Sequence, residues 1–76
     1  MYNDIEWEYK GYKAKIEFDV EPDNVKAFHY VTTPTTFFQQ GQTYMLDISP
    51  YDTRPATVNK IIDDFVENGF DISKTV

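Results

Sequence analysis

The chain contains no cysteine, which excludes disulfides, thiolate zinc sites and cysteine nucleophiles. Its three glycines, Gly11, Gly41 and Gly69, are isolated, so no glycine-rich phosphate loop is present. No segment approaches the roughly 18 apolar residues of a membrane span, and the N-terminal region is acidic where a targeting signal would be basic. These absences predict a cytoplasmic protein without a metal or cofactor.

Basic residues are also scarce. Seven Lys and Arg stand against thirteen Asp and Glu, for a net charge of −6. Direct binding to nucleic acid or to an anionic membrane is therefore disfavoured, because such binding depends on cations that neutralise phosphates. A protein partner with a basic surface suits this charge better, although the same charge is also typical of a protein that is simply kept soluble.

Residues 4–9 and 12–20 predict a β-hairpin whose two faces agree on one register. If Lys10-Gly11 is the loop, Tyr9 pairs with Tyr12 on the apolar face, while the polar face pairs carboxylates with lysines. The same register pairs Trp7 with Ala14, Ile5 with Ile16, Glu8 with Lys13 and Glu6 with Lys15. A slip of one residue would move every apolar side chain to the opposite face, so the local structure is strongly specified.

The sequence predicts a single domain, residues 1–76. After the hairpin, turn signals divide the chain into further elements. A Pro-Asp-Asn turn at 21–24 precedes a third strand at 25–33, and a turn at 39–42 precedes a fourth at 43–49. Apolar residues then recur at helical spacing, and Gly69 is placed to end the helix. That apolar stripe consists of Val58, Ile61, Ile62, Phe65 and Val66. The pattern predicts an α+β fold, a four-stranded antiparallel meander (ββββα) with one amphipathic helix on one sheet face. Residues 70–72 form either a short edge strand or the start of a frayed tail, 72–76.

No catalytic or metal-binding constellation is recognisable, so we expect a protein that is not an enzyme. His29 is the single histidine and is expected to be a hydrogen-bonded structural residue. Asp63 and Asp64 are adjacent on the predicted helix, so their carboxylates diverge instead of converging on one ion.

One candidate partner-binding patch lies at the end of the helix. Negative charge accumulates there, at the end where the helix macrodipole favours cations. Because local rules are most often broken at functional sites, the patch is a candidate surface for a basic partner. Its alternative is a solvated face. The residues are Asp63, Asp64, Glu67 and Asp71.

A second candidate is the aromatic segment around Phe37 and Phe38, with Tyr44 and Tyr51 nearby. Consecutive residues of a strand point to opposite faces, so an extended segment would leave one phenylalanine exposed as an interface anchor. If the segment curls instead, both rings could join the core.

Residues 9–19, Tyr-Lys-Gly-Tyr-Lys-Ala-Lys-Ile-Glu-Phe-Asp, resemble the opening hairpin of HicB-type antitoxins. Members of that family neutralise a small basic RNA-cleaving toxin, so the resemblance implies toxin neutralisation. Downstream, the family's Phe-x-Gly-x-Val strand is replaced by Phe28-His29-Tyr30-Val31.

Residues 57–70 resemble a winged-helix recognition helix that leads into its wing, which implies DNA reading. The upstream chain, however, has the pattern of strands and the helix face that would enter the groove is acidic.

Taken together, the sequence predicts a small acidic, non-enzymatic protein-binding module. Phage-encoded inhibitors of nucleases or CRISPR effectors, like small antitoxins, share this size and charge, which suggests an inhibitor of a basic, nucleic-acid-handling protein by analogy of class. The alternative is a structural or assembly subunit that self-associates through an open sheet face or an edge strand.

Overall fold

The computed structural model describes residues 3–75 and has the predicted ββββα architecture. Four strands form one antiparallel sheet in the order β1-β2-β3-β4, and a single α-helix, α1, follows them. The elements are β1 (Ile5–Tyr9), β2 (Tyr12–Val20), β3 (Val25–Thr32), β4 (Thr43–Leu46), α1 (Pro55–Asn68) and a short 3₁₀ helix (Ile72–Thr75).

The β1–β2 hairpin has the register that its two faces predict. Tyr9 lies opposite Tyr12, and the pairing continues without a bulge to Ile5 opposite Ile16. Both loop residues have positive φ, 51° at Lys10 and 86° at Gly11. This backbone matches the right-handed twist of the flanking strands, which explains why a two-residue loop suffices.

The fourth strand is shorter than predicted, because it ends at Leu46 instead of continuing to residue 49. Beyond Leu46 the chain leaves the ladder and then returns to β3, where the Ala27 amide donates to the carbonyl oxygen of Pro50 at 2.6 Å. Strand alternation predicts that Tyr44, Leu46 and Ile48 point to the core, and all three do. Leu46 is buried, and Tyr44 and Ile48 pack against the core while partly exposed.

The helix covers one face of the sheet and completes the core. Val58, Ile62 and Phe65 of α1 are buried against the inward side chains of the sheet. The inward side chains of the sheet include Tyr12, Ala14, Ile16, Ala27, Val31 and Leu46. Ile61 packs at the margin of this core, but Val66 is 50% exposed and is wrongly assigned to the buried stripe by spacing alone.

The helix ends as predicted, but the segment after it does not form a strand. Gly69, at φ 90°, donates its amide to the Phe65 carbonyl at 2.9 Å. Phe70 then returns onto the last turns, with its ring centroid 4.8 Å from that of Phe65. Ile72–Thr75 form the 3₁₀ helix, so the expected edge strand is absent from the described residues, while the frayed tail at 72–76 stays a prediction and Val76 lies outside the described residues.

Candidate functional site

The β3–β4 connection, residues 33–42, is a loop held in place by threonine side chains. At its base the Thr33 amide donates to the Gln42 carbonyl and the Gln42 amide donates to the Thr33 hydroxyl, both at 2.9 Å. Midway, the Gly41 amide donates to the Thr35 hydroxyl at 3.2 Å. These bonds satisfy backbone groups that would otherwise need water, so the loop has a defined conformation.

The tip of this loop is a tight turn organised by Thr36. Its amide donates to the Gln39 carbonyl at 2.7 Å, and its hydroxyl accepts from the amides of Phe38 and Gln39 at 3.3 and 3.0 Å. Such a hydroxyl-centred turn fixes where the side chains of its central residues point. The two central residues are Phe37 and Phe38.

Both phenylalanines lie almost completely in solvent. Phe37 is 96% exposed and Phe38 is 94% exposed. Their rings form a T-shaped, edge-to-face contact with centroids 5.3 Å apart. The outcome differs from both expectations, since the segment curls as one of them required, yet neither ring joins the core. Burying a phenylalanine side chain contributes about 1.5–3 kcal/mol. A partner that covers the two rings would therefore gain a large hydrophobic contribution to its binding free energy.

Asp63 of the predicted acidic patch is engaged within the molecule. Its carboxylate is 2.6 Å from the Lys10 ammonium and accepts a hydrogen bond from the Tyr9 hydroxyl at 2.9 Å. These bonds from Lys10 and then Tyr9 lower the pKa of Asp63, and the Asp63 carboxylate raises the pKa of both partners. Asp63 therefore ties the β1–β2 loop to α1, and its charge is largely compensated.

The other acidic residues of the patch remain on the surface. Asp64 and Glu67 are exposed, and Asp64 accepts a hydrogen bond from the Asn68 amide group at 2.8 Å. Asp71 is exposed and accepts from the Ser73 amide and hydroxyl at 3.1 and 2.6 Å, which supports the start of the 3₁₀ helix. The exposed acidic end consists of Asp64, Glu67 and Asp71.

The structure separates the two tyrosines of the aromatic candidate. Tyr44 is half-buried, with its ring 5.0 Å from Phe70 and its hydroxyl donating to Gln42 Oε1 at 2.8 Å. It therefore supports the base of the loop. Tyr51 is 68% exposed but adjoins Pro50, which is bonded to Ala27 near the start of β3, at the end of the sheet away from the loop.

The phenylalanine tip and the acidic helix end lie at the same end of the domain. The helix runs beside β1, since Trp7 bonds to Asn59 and Tyr9 bonds one turn later to Asp63. Its C-terminal end therefore reaches the β1–β2 loop, where the Pro34 ring lies against Gly11. A negative surface and a hydrophobic projection are thus present at the same end of the domain.

His29 is buried and hydrogen-bonded, as predicted. It is 1% exposed, and its Nε2 lies 2.6 Å from the carbonyl oxygen of Asp52. That contact anchors the segment before α1 to β3. Asp52 itself accepts from Arg54 and Thr57, and these bonds hold the pKa of its carboxyl well below the usual range.

Within residues 3–75 no cluster of His, Asp and Glu is arranged to hold a metal ion. The same described part of the chain has no helix with both the length and the apolar character needed to cross a membrane.

The sequence indicates the two phenylalanines as candidates but does not indicate the residues that position them. Thr33, Thr36 and Gly41 carry most of the loop's hydrogen bonds and close contacts. A Cβ on Gly41 would collide with the Thr33 carbonyl oxygen, so only glycine fits there. The available signal was the density of threonine around the two rings, because threonine hydroxyls commonly stabilise turns.

No protein-family model matches the chain, and comparisons with curated proteins and with solved structures found no significant similarity. The resemblances to HicB-type antitoxins and to winged helices therefore rest on short segments alone, and α1 packs on a sheet instead of following other helices.

Proposed function

We propose that this protein is a non-enzymatic protein-binding module that covers a basic surface on its partner. The carrying observation is the phenylalanine tip, two almost fully exposed aromatic rings on a loop whose backbone is hydrogen-bonded. Aromatic side chains are prominent in binding hot spots, and a preorganised loop loses less conformational entropy on binding than a flexible one.

The sign of the partner's charge follows from the surroundings of the tip. The net charge is −6, and the exposed acidic end lies at the same end of the domain as the phenylalanines. A partner would therefore combine an apolar pocket for the rings with a basic rim for the carboxylates. Basic surfaces of this kind hold nucleic acid in many proteins, which supports inhibition of a nucleic-acid-handling protein as the biological role.

The test begins with affinity capture from nuclease-treated lysate, using the tagged wild type and the variant F37S/F38S. The matched aromatic control is Tyr51→Ser, because Tyr51 is also exposed but lies at the other end of the sheet. The captured protein is then purified and titrated with all three chains. We expect F37S/F38S to weaken binding by at least about 2 kcal/mol and Tyr51→Ser to leave it unchanged.

The acidic end is tested with the variant D64K/E67K against E21K/D23K, which changes the same charge in the exposed β2–β3 turn. Lysines near a helix C-terminus are favoured by the macrodipole, so D64K/E67K should fold at least as well as the wild type. Weaker binding by this variant alone would support the proposal. If D64K/E67K and E21K/D23K bind equally well, the acidic end is not part of the interface. If F37S/F38S still captures the partner, the proposal is refuted.

A further inference from the structure

The sheet face opposite α1 has a charge order that reverses along β2. Because Ala14 and Ile16 point to the core, the alternating residues of β2 point away from it. In order along the strand, these outward residues are Lys13, Lys15, Glu17 and Asp19. One half of the strand is therefore positive on this face and the other half negative.

The neighbouring strand places two aromatic residues at the centre of the same face. Tyr30 lies opposite Lys15 and Phe28 lies opposite Glu17 in the β2–β3 register. Both are half-buried, and Met45, 58% exposed, adjoins Tyr30 on β4. A shallow depression of about 360 Å³ opens between Phe28, Tyr30 and Met45.

We propose that this open face binds a second copy of the chain in a two-fold symmetric, face-to-face dimer. The two-fold axis lies between the two faces, runs perpendicular to the strands and passes over β2 midway between Lys15 and Glu17. It therefore reverses the strand direction of the second copy. It then places Lys15 opposite Glu17 of the second copy, and Lys13 opposite Asp19 of the second copy. A self-complementary patch of this kind is what a closed dimer requires.

The same axis brings the aromatic residues together at the centre. Tyr30 meets Phe28 of the second copy, beside the depression that Met45 lines. Sheets pack about 10 Å apart, a distance that facing lysine and glutamate side chains can span. The two aromatic residues of β3 and the charged residues of β2 are thus satisfied by one arrangement.

The other two-fold arrangement, with the axis parallel to the strands, is unfavourable. With the axis between β2 and β3, it would set Glu17 against Phe28 and Glu6 against Met45 of the second copy, and so place these carboxylates on apolar groups where the second copy offers no cation. The charges of β2 and the aromatic residues of β3 therefore favour the antiparallel dimer. In that dimer the phenylalanine tips of the two copies lie at opposite ends, so both tips stay accessible to a partner.

The test uses two singly reversed variants, Lys15→Glu and Glu17→Lys. Each homodimer would place like charges opposite each other, whereas a mixture of the two variants restores opposite charges across the interface. Each variant also lacks the internal Lys15–Glu17 ion pair of 2.9 Å, so loss of that pair cannot explain recovery in the mixture. Sedimentation equilibrium on each variant and on the mixture measures association.

We expect the wild type to dimerise, each single variant to associate at least about tenfold more weakly, and the equimolar mixture to recover the wild-type level. The control mixture is Lys60→Glu with Glu67→Lys, which has the same net charges but changes α1, and each of its components should dimerise like the wild type. A wild type that is monomeric at about 1 mM, or a mixture that does not recover, would overturn the proposal.

Discussion

The indole Nε1 of Trp7 donates a hydrogen bond of 2.8 Å to Oδ1 of Asn59, which joins residues 52 positions apart in the chain. Trp7 lies on the edge strand β1 and Asn59 on α1, so this bond and the Tyr9–Asp63 bond one turn further connect the edge of the sheet to the helix. A polar contact at the end of a partly buried aromatic ring fixes both its position and its orientation.

Replacing Asn59 by Ala should therefore lower the free energy of unfolding by about 1–2 kcal/mol, since the part-buried indole N–H would lose its partner. Denaturant unfolding followed by the fluorescence of the single tryptophan measures this loss at a site that the change directly affects. The control is Lys60→Ala on the exposed neighbouring position, for which no change is expected. Equal stability of the two variants would show that the bond does not contribute.

The parts of the fold that the sequence predicts well are those where independent patterns agree. The β1–β2 register satisfies an apolar face and an ionic face at once, and all of its predicted pairs are present. The helix is likewise indicated by its stripe and by Gly69 at its end. Agreement of this kind leaves little freedom for another pairing.

The parts that it predicts poorly depend on contacts distant in sequence. β4 stops at Leu46 because the chain then bonds to Ala27, a contact that no local pattern indicates. Alternation alone could not show that residues 33–42 form a loop in which threonine hydroxyls replace strand pairing. The sequence shows the acidic patch as a charge cluster, but only the fold reveals that Asp63 faces Lys10.

Acid should remove the stabilising contribution of Asp52. Hydrogen bonds from Arg54 and Thr57 depress the pKa of this carboxyl below its ordinary value of 3.8. A carboxyl whose pKa is lower in the folded state contributes stability above its unfolded pKa, and this contribution is lost as the pH falls below about 4. The wild type should thus be more stable than Asp52→Asn at neutral pH, and the difference should shrink towards about pH 2.5.

Thermal unfolding of both proteins over this pH range tests the expectation. Asp63→Asn is the second comparison. Hydrogen bonds from Lys10 and Tyr9 lower the pKa of the Asp63 carboxyl, so its contribution to stability should also be lost in acid, at a separate site. The two effects should add, since the residues share no partner. A difference between wild type and Asp52→Asn that is constant with pH would contradict the role of the Asp52 charge.

Truncation of the core phenylalanine should destabilise the fold strongly, whereas truncation of the tip phenylalanines should hardly affect it. Phe65 is 2% exposed and contacts the rings of Tyr12 and Phe70, so Phe65→Ala should cost about 3–5 kcal/mol. The variant F37S/F38S removes two exposed rings and should change the free energy of unfolding by no more than about 0.5 kcal/mol. Denaturant unfolding compares them, and a large loss in F37S/F38S would show that the rings stabilise the fold.

Gly41→Ala separates the presence of the two phenylalanines from their presentation. The added Cβ would meet the Thr33 carbonyl oxygen, so the base of the loop must shift although both rings remain. Amide chemical shifts should change within residues 33–42 and little elsewhere, while Gln40→Ala on the exposed neighbour should leave the loop unaltered. If the rings bind as a preorganised pair, Gly41→Ala should weaken partner binding about tenfold or more, because the ordering of the loop must then occur on association. Undiminished affinity in a variant with a shifted loop would show instead that the rings are recognised without a fixed conformation.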